Sequence, residues 1–259
     1  SGHAPDWKAL KGDTLRDLVR RAGAGELPAE ASHLVVQAVE ADAYSPNPAV
    51  LLEAWGQEAF LEGLAILARA LPGVRLHLAL SQPRRALLER LATAARQAGL
   101  DLEPRALSRK YPQAHPVALS AAIFGKKQPG GVLVLDLQTV FHVRDAVVLG
   151  KPLIERVVAL AGPGFRRRPH VRVRLGTPVG SLLAGYLRPN RQSRIVFNSL
   201  LGGQGAGLTF VGPSPEAIEA MIRDGRLSLG HAKLIAGTVD ILEQERLANL
   251  VLLQGLSVR

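Results

Sequence analysis

The sequence predicts an α/β protein: a parallel sheet covered by helices on both faces, then a small β-grasp-like module, then a short helical segment. Three observations carry this. Short apolar runs alternate with longer helical periodicities from Asp13 to Leu149, which is the pattern of strand–helix–strand units. From Arg156 the strands become alternating and the helix between them brief. From Pro213 capped helical stretches succeed one another with no strand between.

In chain order, residues 1–9 read as a flexible leader, Ser1-Gly2-His3 having the look of an expression-tag remnant. Asp13 opens a short amphipathic helix with Leu15, Leu18 and Val19 on one face and Gly23 as its stop. Ser32–Val39 is a buried strand by its apolar run, leading into Glu40-Ala41-Asp42-Ala43-Tyr44. Ala49–Ala70 reads as one long helix, with Leu51, Leu52, Trp55, Phe60, Leu64 and Leu67 on its apolar face and Pro72-Gly73 as its end. Val74–Leu80 is a second strand, Gln82–Ala98 a second long helix, Leu100–Ala106 a third strand and Pro116–Phe124 a third helix. Val132–Leu137 and Thr139–Val143 read as strands, with Arg144–Leu149 as a short helix. In open parallel sheets ligands sit at the carboxyl ends of the strands. That directs attention to Glu40–Asn47 and to the residues after Leu137.

Gly150–Pro178 organises the next module. A strand at Arg156–Ala161 enters a Gly-Pro-Gly turn and the Arg166-Arg167-Arg168 cluster; a second strand spans His170–Leu175. A helix at Val179–Tyr186 and a strand at Arg194–Ser199 complete the module. Gly202, Gly203, Gly205 and Gly207 do not have the dinucleotide-binding spacing and no helix pattern comes after them, so they read as turn and bulge residues. Ser214-Pro215-Glu216 opens the terminal helices.

Composition narrows the chemistry. Of 259 residues 47% are apolar, enough for a proper core, while aromatics are only 4%, so that core is built from Leu, Val and Ala. The absence of cysteine excludes disulfides, thiolate-held iron–sulfur clusters and cysteine zinc sites. No metal site is expected: His115 and His142 stand apart from other ligand types, and His231 reads as a packing or capping residue. No nucleophile–base arrangement is visible. No run is long enough for a membrane span and no signal peptide is present, so the chain is expected to be cytoplasmic, or peripheral on the inner face of the plasma membrane.

The net charge of +10 is uneven. No carboxylate occurs between Glu155 and Glu216, whereas Arg166, Arg167, Arg168, Arg172, Arg174, Arg188, Arg191 and Arg194 all do. Anionic lipid headgroups, an acidic partner protein or nucleic acid could complement such a face. Only Phe165 interleaves with the arginines, which argues against a base-stacking platform and leaves any nucleic-acid contact non-specific. Arg166, Arg167, Arg168, Arg172 and Arg174 are the docking candidates.

Three motifs resemble the region shared by the RnfC and NqrA subunits of ion-pumping respiratory oxidoreductases. They are Lys110-Tyr111-Pro112-Gln113, Gly150-Lys151-Pro152-Leu153-Ile154-Glu155-Arg156-Val157-Val158, and Val171-Arg172-Val173-Arg174-Leu175-Gly176-Thr177-Pro178-Val179. Thr139-Val140-Phe141-His142-Val143 looks more like NqrA. The resemblance covers roughly residues 10–210. It implies a Rossmann-like domain over 10–155 and a soluble-ligand-binding β-grasp (SLBB) domain over 156–212. It also implies a place in an NADH:quinone oxidoreductase-like, ion-transporting complex, with membrane subunits as partners.

The same resemblance implies where a flavin would lie. The acidic motif N-A-x-E-x-E-P-Y of RnfC-type proteins reads Gln37-Ala38-Val39-Glu40-Ala41-Asp42-Ala43-Tyr44 here, and their N-V-G-T reads Asp136-Leu137-Gln138-Thr139. The acids and Tyr44 survive in kind. The glycine that allows close approach is Gln138, and Asp136 sets a carboxylate against any phosphate. Glu40, Asp42, Tyr44, Asp136 and Thr139 are therefore expected to be a vestigial nucleotide or flavin site, with no cofactor in the chain and no activity alone; FMN or quinone binding is the alternative. Residues 213–259, with Arg223-Asp224-Gly225-Arg226-Leu227-Ser228 at their centre, resemble the ParB partitioning family just after its helix–turn–helix. The recognition helix that reads DNA is missing before them. A DNA-associated protein is the alternative that this tail implies.

Overall fold

The computed structural model describes residues 6–10, 12–40, 46–188, 194–197 and 204–207. Four strands, β1 (His33–Ala38), β2 (Arg75–Ser81), β3 (Leu102–Leu107) and β4 (Val132–Asp136), form a parallel sheet in the order β3-β2-β1-β4. The chain winds outward to β3 and returns to the far side of β1, so the sheet is doubly wound and reverses between β1 and β4. The α/β, Rossmann-like expectation holds.

Alternation along the strands sorts the two faces. Leu34, Val36, Leu76, Leu78 and Leu80 join the main core. It is covered by α1 (Asp13–Arg21), α2 (Pro48–Trp55), α3 (Gln57–Ala70), α4 (Arg85–Gln97) and α6 (Leu137–Val148). Val35, Val39 and Ala79 meet Leu119 of α5 (Pro116–Phe124) in a much smaller cluster on the other face.

The expected single helix over 49–70 is two. Gly56 adopts φ 89, closes α2 by donating its N–H to Leu52 O, and lets the chain restart as α3. Both helices bury the same core, so apolar periodicity runs across the break and cannot register it. Asn47 starts α2 by accepting from the Ala49 N–H, with Pro48 in the first turn.

Thr139–Val143 is not a strand but the middle of α6. Its β-branched and aromatic residues favour strands as isolated residues. Here Val140, Phe141, His142 and Val143 are all buried, so the segment is apolar around most of its circumference and tertiary packing overrides propensity. Phe141 stacks on Trp55 with ring centroids 5.0 Å apart and meets Phe60 at 6.2 Å. Arg144 ties α6 to α3 through Glu62 at 2.8 Å.

The thinner face holds an imidazole pair, His77 buried and His33 half-buried. His33 Nδ1 and His77 Nε2 lie 2.9 Å apart, the rings stack, and Phe124 meets both edge-on. His77 Nδ1 faces Glu103 Oε2 at 3.4 Å. Burial holds both imidazoles below the ordinary value despite Glu103. A folded-state pKa below the unfolded one means that the unfolded chain takes up protons first as pH falls. Stability is therefore complete above about pH 6.5 and declines as pH drops from there toward the folded-state values. Thermal denaturation across pH 8 to 5 should show this loss, and His77→Gln should reduce it, with His33 and the buried His142 supplying the remainder; a pH-independent midpoint above about pH 5 would refute the assignment.

The chain divides into two compact units. One runs to Ala159 and takes in His170–Leu175. It includes the antiparallel hairpin β5 (Glu155–Ala159) and β6 (His170–Arg174). The other comprises Leu160–Pro169 and the residues from Gly176 onward, with the short helix α7 (Val179–Leu183) and the antiparallel pair β7 (Arg194–Phe197) and β8 (Gln204–Gly207). Gly205 and Gly207, read as turn and bulge residues, lie within β8. The helices expected after Pro213 fall outside the described residues.

Candidate functional site

The sheet reverses between β1 and β4, and the carboxyl ends at such a reversal are where doubly wound sheets hold ligands. Gln37 of β1 stands opposite Asp136 of β4 in register, and Glu40 lies three residues further on. Glu40, Asp136 and Thr139 thus come to one sheet edge, as expected. Asp42 and Tyr44 lie outside the described residues.

Each of these groups is engaged by its own chain. The Glu40 carboxylate accepts from Ser81 Oγ at 2.9 Å and from Arg84 Nη2 at 3.1 Å, and Arg109 Nε donates to its backbone carbonyl at 3.3 Å. Burial alone would raise the Glu40 pKa; the hydrogen bonds from Arg84 and Ser81 outweigh it and hold the carboxyl below its ordinary range.

Asp136 is the N-cap of α6. It accepts from the Thr139 N–H at 3.0 Å and the Thr139 hydroxyl at 2.9 Å, and Arg156 Nη2 donates to its second oxygen at 3.0 Å. Thr139, in the first turn of α6, is the donor to this cap. Asp136→Ala should cost about 1–2 kcal/mol in urea denaturation, and Asp136→Asn, which keeps an acceptor for the Thr139 N–H, clearly less. Equal losses for both would rule out the cap as the main contribution.

Gln138 is the residue whose role the sequence concealed. Its side chain is buried and behaves as a strand neighbour: Nε2 donates to Val157 O at 3.0 Å and Oε1 accepts from the Val157 N–H at 2.8 Å. This single amide pins β5 to the first turn of α6.

A second cluster lies where the hairpin meets α2 and α6. Trp55, His142, Asp145, Lys151, Glu155 and Arg172 line a narrow cleft. Arg172 lies over the Trp55 ring, 4.8 Å from its centroid. His142 is buried, its pKa pushed down by that burial and then by Arg156, and its Nε2 has no hydrogen-bond partner among the described residues. Lys151 bonds Glu155 at 2.7 Å and is the chief cause of the lowered Glu155 pKa, with Arg172 and Arg174 contributing.

The five docking candidates therefore fall in two places. Arg172 and Arg174 belong to the hairpin of the first unit, where Arg172 is spent on Trp55 and Arg174 stands opposite Glu155. Arg166, Arg167 and Arg168 belong to the second unit and are exposed. They share it with Arg188, whose Nε donates to Phe165 O at 3.3 Å. Arg84 and Arg156 had no signal in the sequence; Arg188 was visible only as one of an acid-free run. No group of three or more metal-ligating side chains occurs among the described residues, and no described helix is long and apolar enough to cross a membrane.

Sheet order, reversal point and hairpin define a Rossmann-like α/β protein with a hairpin packed beside its sheet edge. The chain is 30% identical over 211 residues to the RnfC protein of the ion-translocating oxidoreductase complex of Pectobacterium carotovorum subsp. carotovorum, covering 78% of this chain and 27% of that protein. The Erwinia tasmaniensis protein of the same name is 32% identical over 178 residues, covering 65% of this chain and 22% of its own length. That of Rhodobacter capsulatus is 29% identical over 158 residues, covering 58% and 30%. The chain is thus a homologue of RnfC proteins of ion-translocating oxidoreductase complexes, as its motifs indicate. It spans about a quarter of the length of these relatives. No family model matches it. Among solved structures, NAD+-reducing NiFe-hydrogenase in the H2-reduced state superposes with a TM-score of 0.57 at 15% identity, covering 97% of this chain and 60% of that one, which supports the fold.

Proposed function

We propose that this chain is a non-catalytic scaffold and docking part of an RnfC/NqrA-like protein, working at the cytoplasmic face of an ion-translocating oxidoreductase complex. The electron-transfer setting comes from the names of its relatives. The observation that carries the non-catalytic reading is the Gln138 amide locked onto the Val157 backbone. A glycine at that position would let a flavin approach the backbone; a buried glutamine bridging to β5 fills the approach. Asp136, spent on the helix cap and on Arg156, adds a carboxylate where a phosphate would have to sit. The residues present do not fit a flavin. The second unit, which carries Arg166, Arg167 and Arg168, supplies the partner-facing surface of the SLBB-like module, with membrane subunits or an acidic surface as its partners.

The reading predicts a purified protein without flavin absorbance, and no stoichiometric FMN complex in a fluorescence titration. A tight one-to-one FMN complex would replace it with the flavoprotein alternative.

A further inference from the structure

Resting on the docking reading above, we infer that Arg166, Arg167, Arg168 and Arg188 form a preorganised guanidinium cluster whose ligand is a carboxylate-rich segment of a partner protein. The bridge between Phe165 and Leu187 brings the two chain segments together, with Arg166 N–H donating to Tyr186 O at 2.7 Å and Arg188 N–H to Gly164 O at 2.9 Å. Each arginine side chain is then held by a neutral group of the same unit. Arg166 Nη2 donates to Gly185 O at 3.4 Å, Arg168 Nε to Gly162 O at 3.1 Å, and Arg167 lies over the Tyr186 ring at 5.9 Å. Arg188 is held by Phe165 O.

These contacts orient the guanidinium groups without neutralising them. The sequence from Arg156 to Pro215 contains no carboxylate side chain. Elsewhere in the chain arginines meet acids, as Arg84 meets Glu40, Arg144 meets Glu62 and Arg156 meets Asp136. A guanidinium keeps most of its five donors after one carbonyl contact, and its planar fork matches carboxylate oxygens two at a time. The entropy of ordering these side chains is partly spent before a ligand arrives.

The chemistry favours an acidic protein segment over a lipid surface. Stable membrane attachment needs an apolar or acyl element beside the basic patch. Among the described residues, the exposed large apolar ones, Tyr111, Val117 and Leu175 included, all belong to the other unit. Duplex DNA asks for cations tracking a phosphate backbone, and this cluster is confined to one turn and its partner segment.

The test uses the full chain at low salt with three probes: poly-L-glutamate, vesicles containing phosphatidylglycerol, and a short DNA duplex. One variant combines Arg166→Lys, Arg167→Lys, Arg168→Lys and Arg188→Lys, keeping every charge while removing the fork. Arg90→Lys with Arg96→Lys, both exposed on α4, is the control. Poly-L-glutamate affinity should fall about ten-fold in the cluster variant and stay within about two-fold in the control. Should the cluster variant not fold, Arg166→Lys and Arg167→Lys are tested singly for a smaller loss of the same kind. Unchanged poly-L-glutamate binding overturns the inference. So does tighter binding of wild-type protein to vesicles or DNA than to poly-L-glutamate. FMN binding is read separately, so failure here leaves the non-catalytic reading standing or falling on its own titration.

Discussion

Gln138→Leu is expected to destabilise the protein by about 3 kcal/mol, because it strands two buried backbone groups at once. Leucine keeps the volume, so no cavity confounds the result, but it can neither donate to Val157 O nor accept from the Val157 N–H. Each unpaired group carries a desolvation cost of about 1–3 kcal/mol, whereas the apolar gain of leucine over glutamine at a buried site offsets only part of that. For a chain of this size the midpoint should drop by about 6–12 °C. The loss should be local first: the Val157 amide should exchange with solvent far faster than amides of β2. Gln97→Leu, at the exposed end of α4, should stay within about 0.5 kcal/mol of wild type. If Gln138→Leu behaves like Gln97→Leu, the bridge contributes nothing and the best support for a blocked flavin approach disappears.

The result bears on how the fold and the site were legible. Strands β1, β2 and β4 were readable because each is a short apolar run between turn signals, and sheet interiors demand that pattern. Glu40 and Asp136 were placed at the correct sheet edge for the same reason: strand ends dictate where such residues go. Their partners were not readable. Arg84 reaches Glu40 across 44 positions and Arg156 reaches Asp136 across 20, and no local periodicity encodes such a pairing. Gln138 stood out only as a departure from a motif, and its role needed the position of β5. Thr139–Val143 misled because burial on nearly every side erases the period that distinguishes helix from strand. The five arginines read as one face because they are close in sequence, while the hairpin carries Arg172 and Arg174 into the first unit.

Gly63→Ala should also be damaging, through a different mechanism. Gly63 lies in α3 where α6 crosses, and a Cβ there would stand 2.5 Å from Val140 O and 2.8 Å from Val140 Cγ1. In an isolated helix the change would help by about 1 kcal/mol, since alanine is the better helix former. The contact reverses that sign. Val140 O is a backbone atom within the hydrogen-bonded ladder of α6, so it cannot swing aside as a side chain would; the helices must separate instead. Overpacking of this kind costs about 1–3 kcal/mol, and contacts this short to backbone belong at the upper end, so a net loss of about 2 kcal/mol remains after the helix gain. Separation also moves the first turn of α6, which carries the Asp136 cap and the Gln138 bridge. A double-mutant cycle therefore links the two predictions. With α6 already displaced by Gly63→Ala, the Val157 hydrogen bonds are already weakened, and Gln138→Leu should cost less than it does alone. Strict additivity within about 0.3–0.5 kcal/mol would mean that the α3–α6 contact and the hairpin bridge act independently.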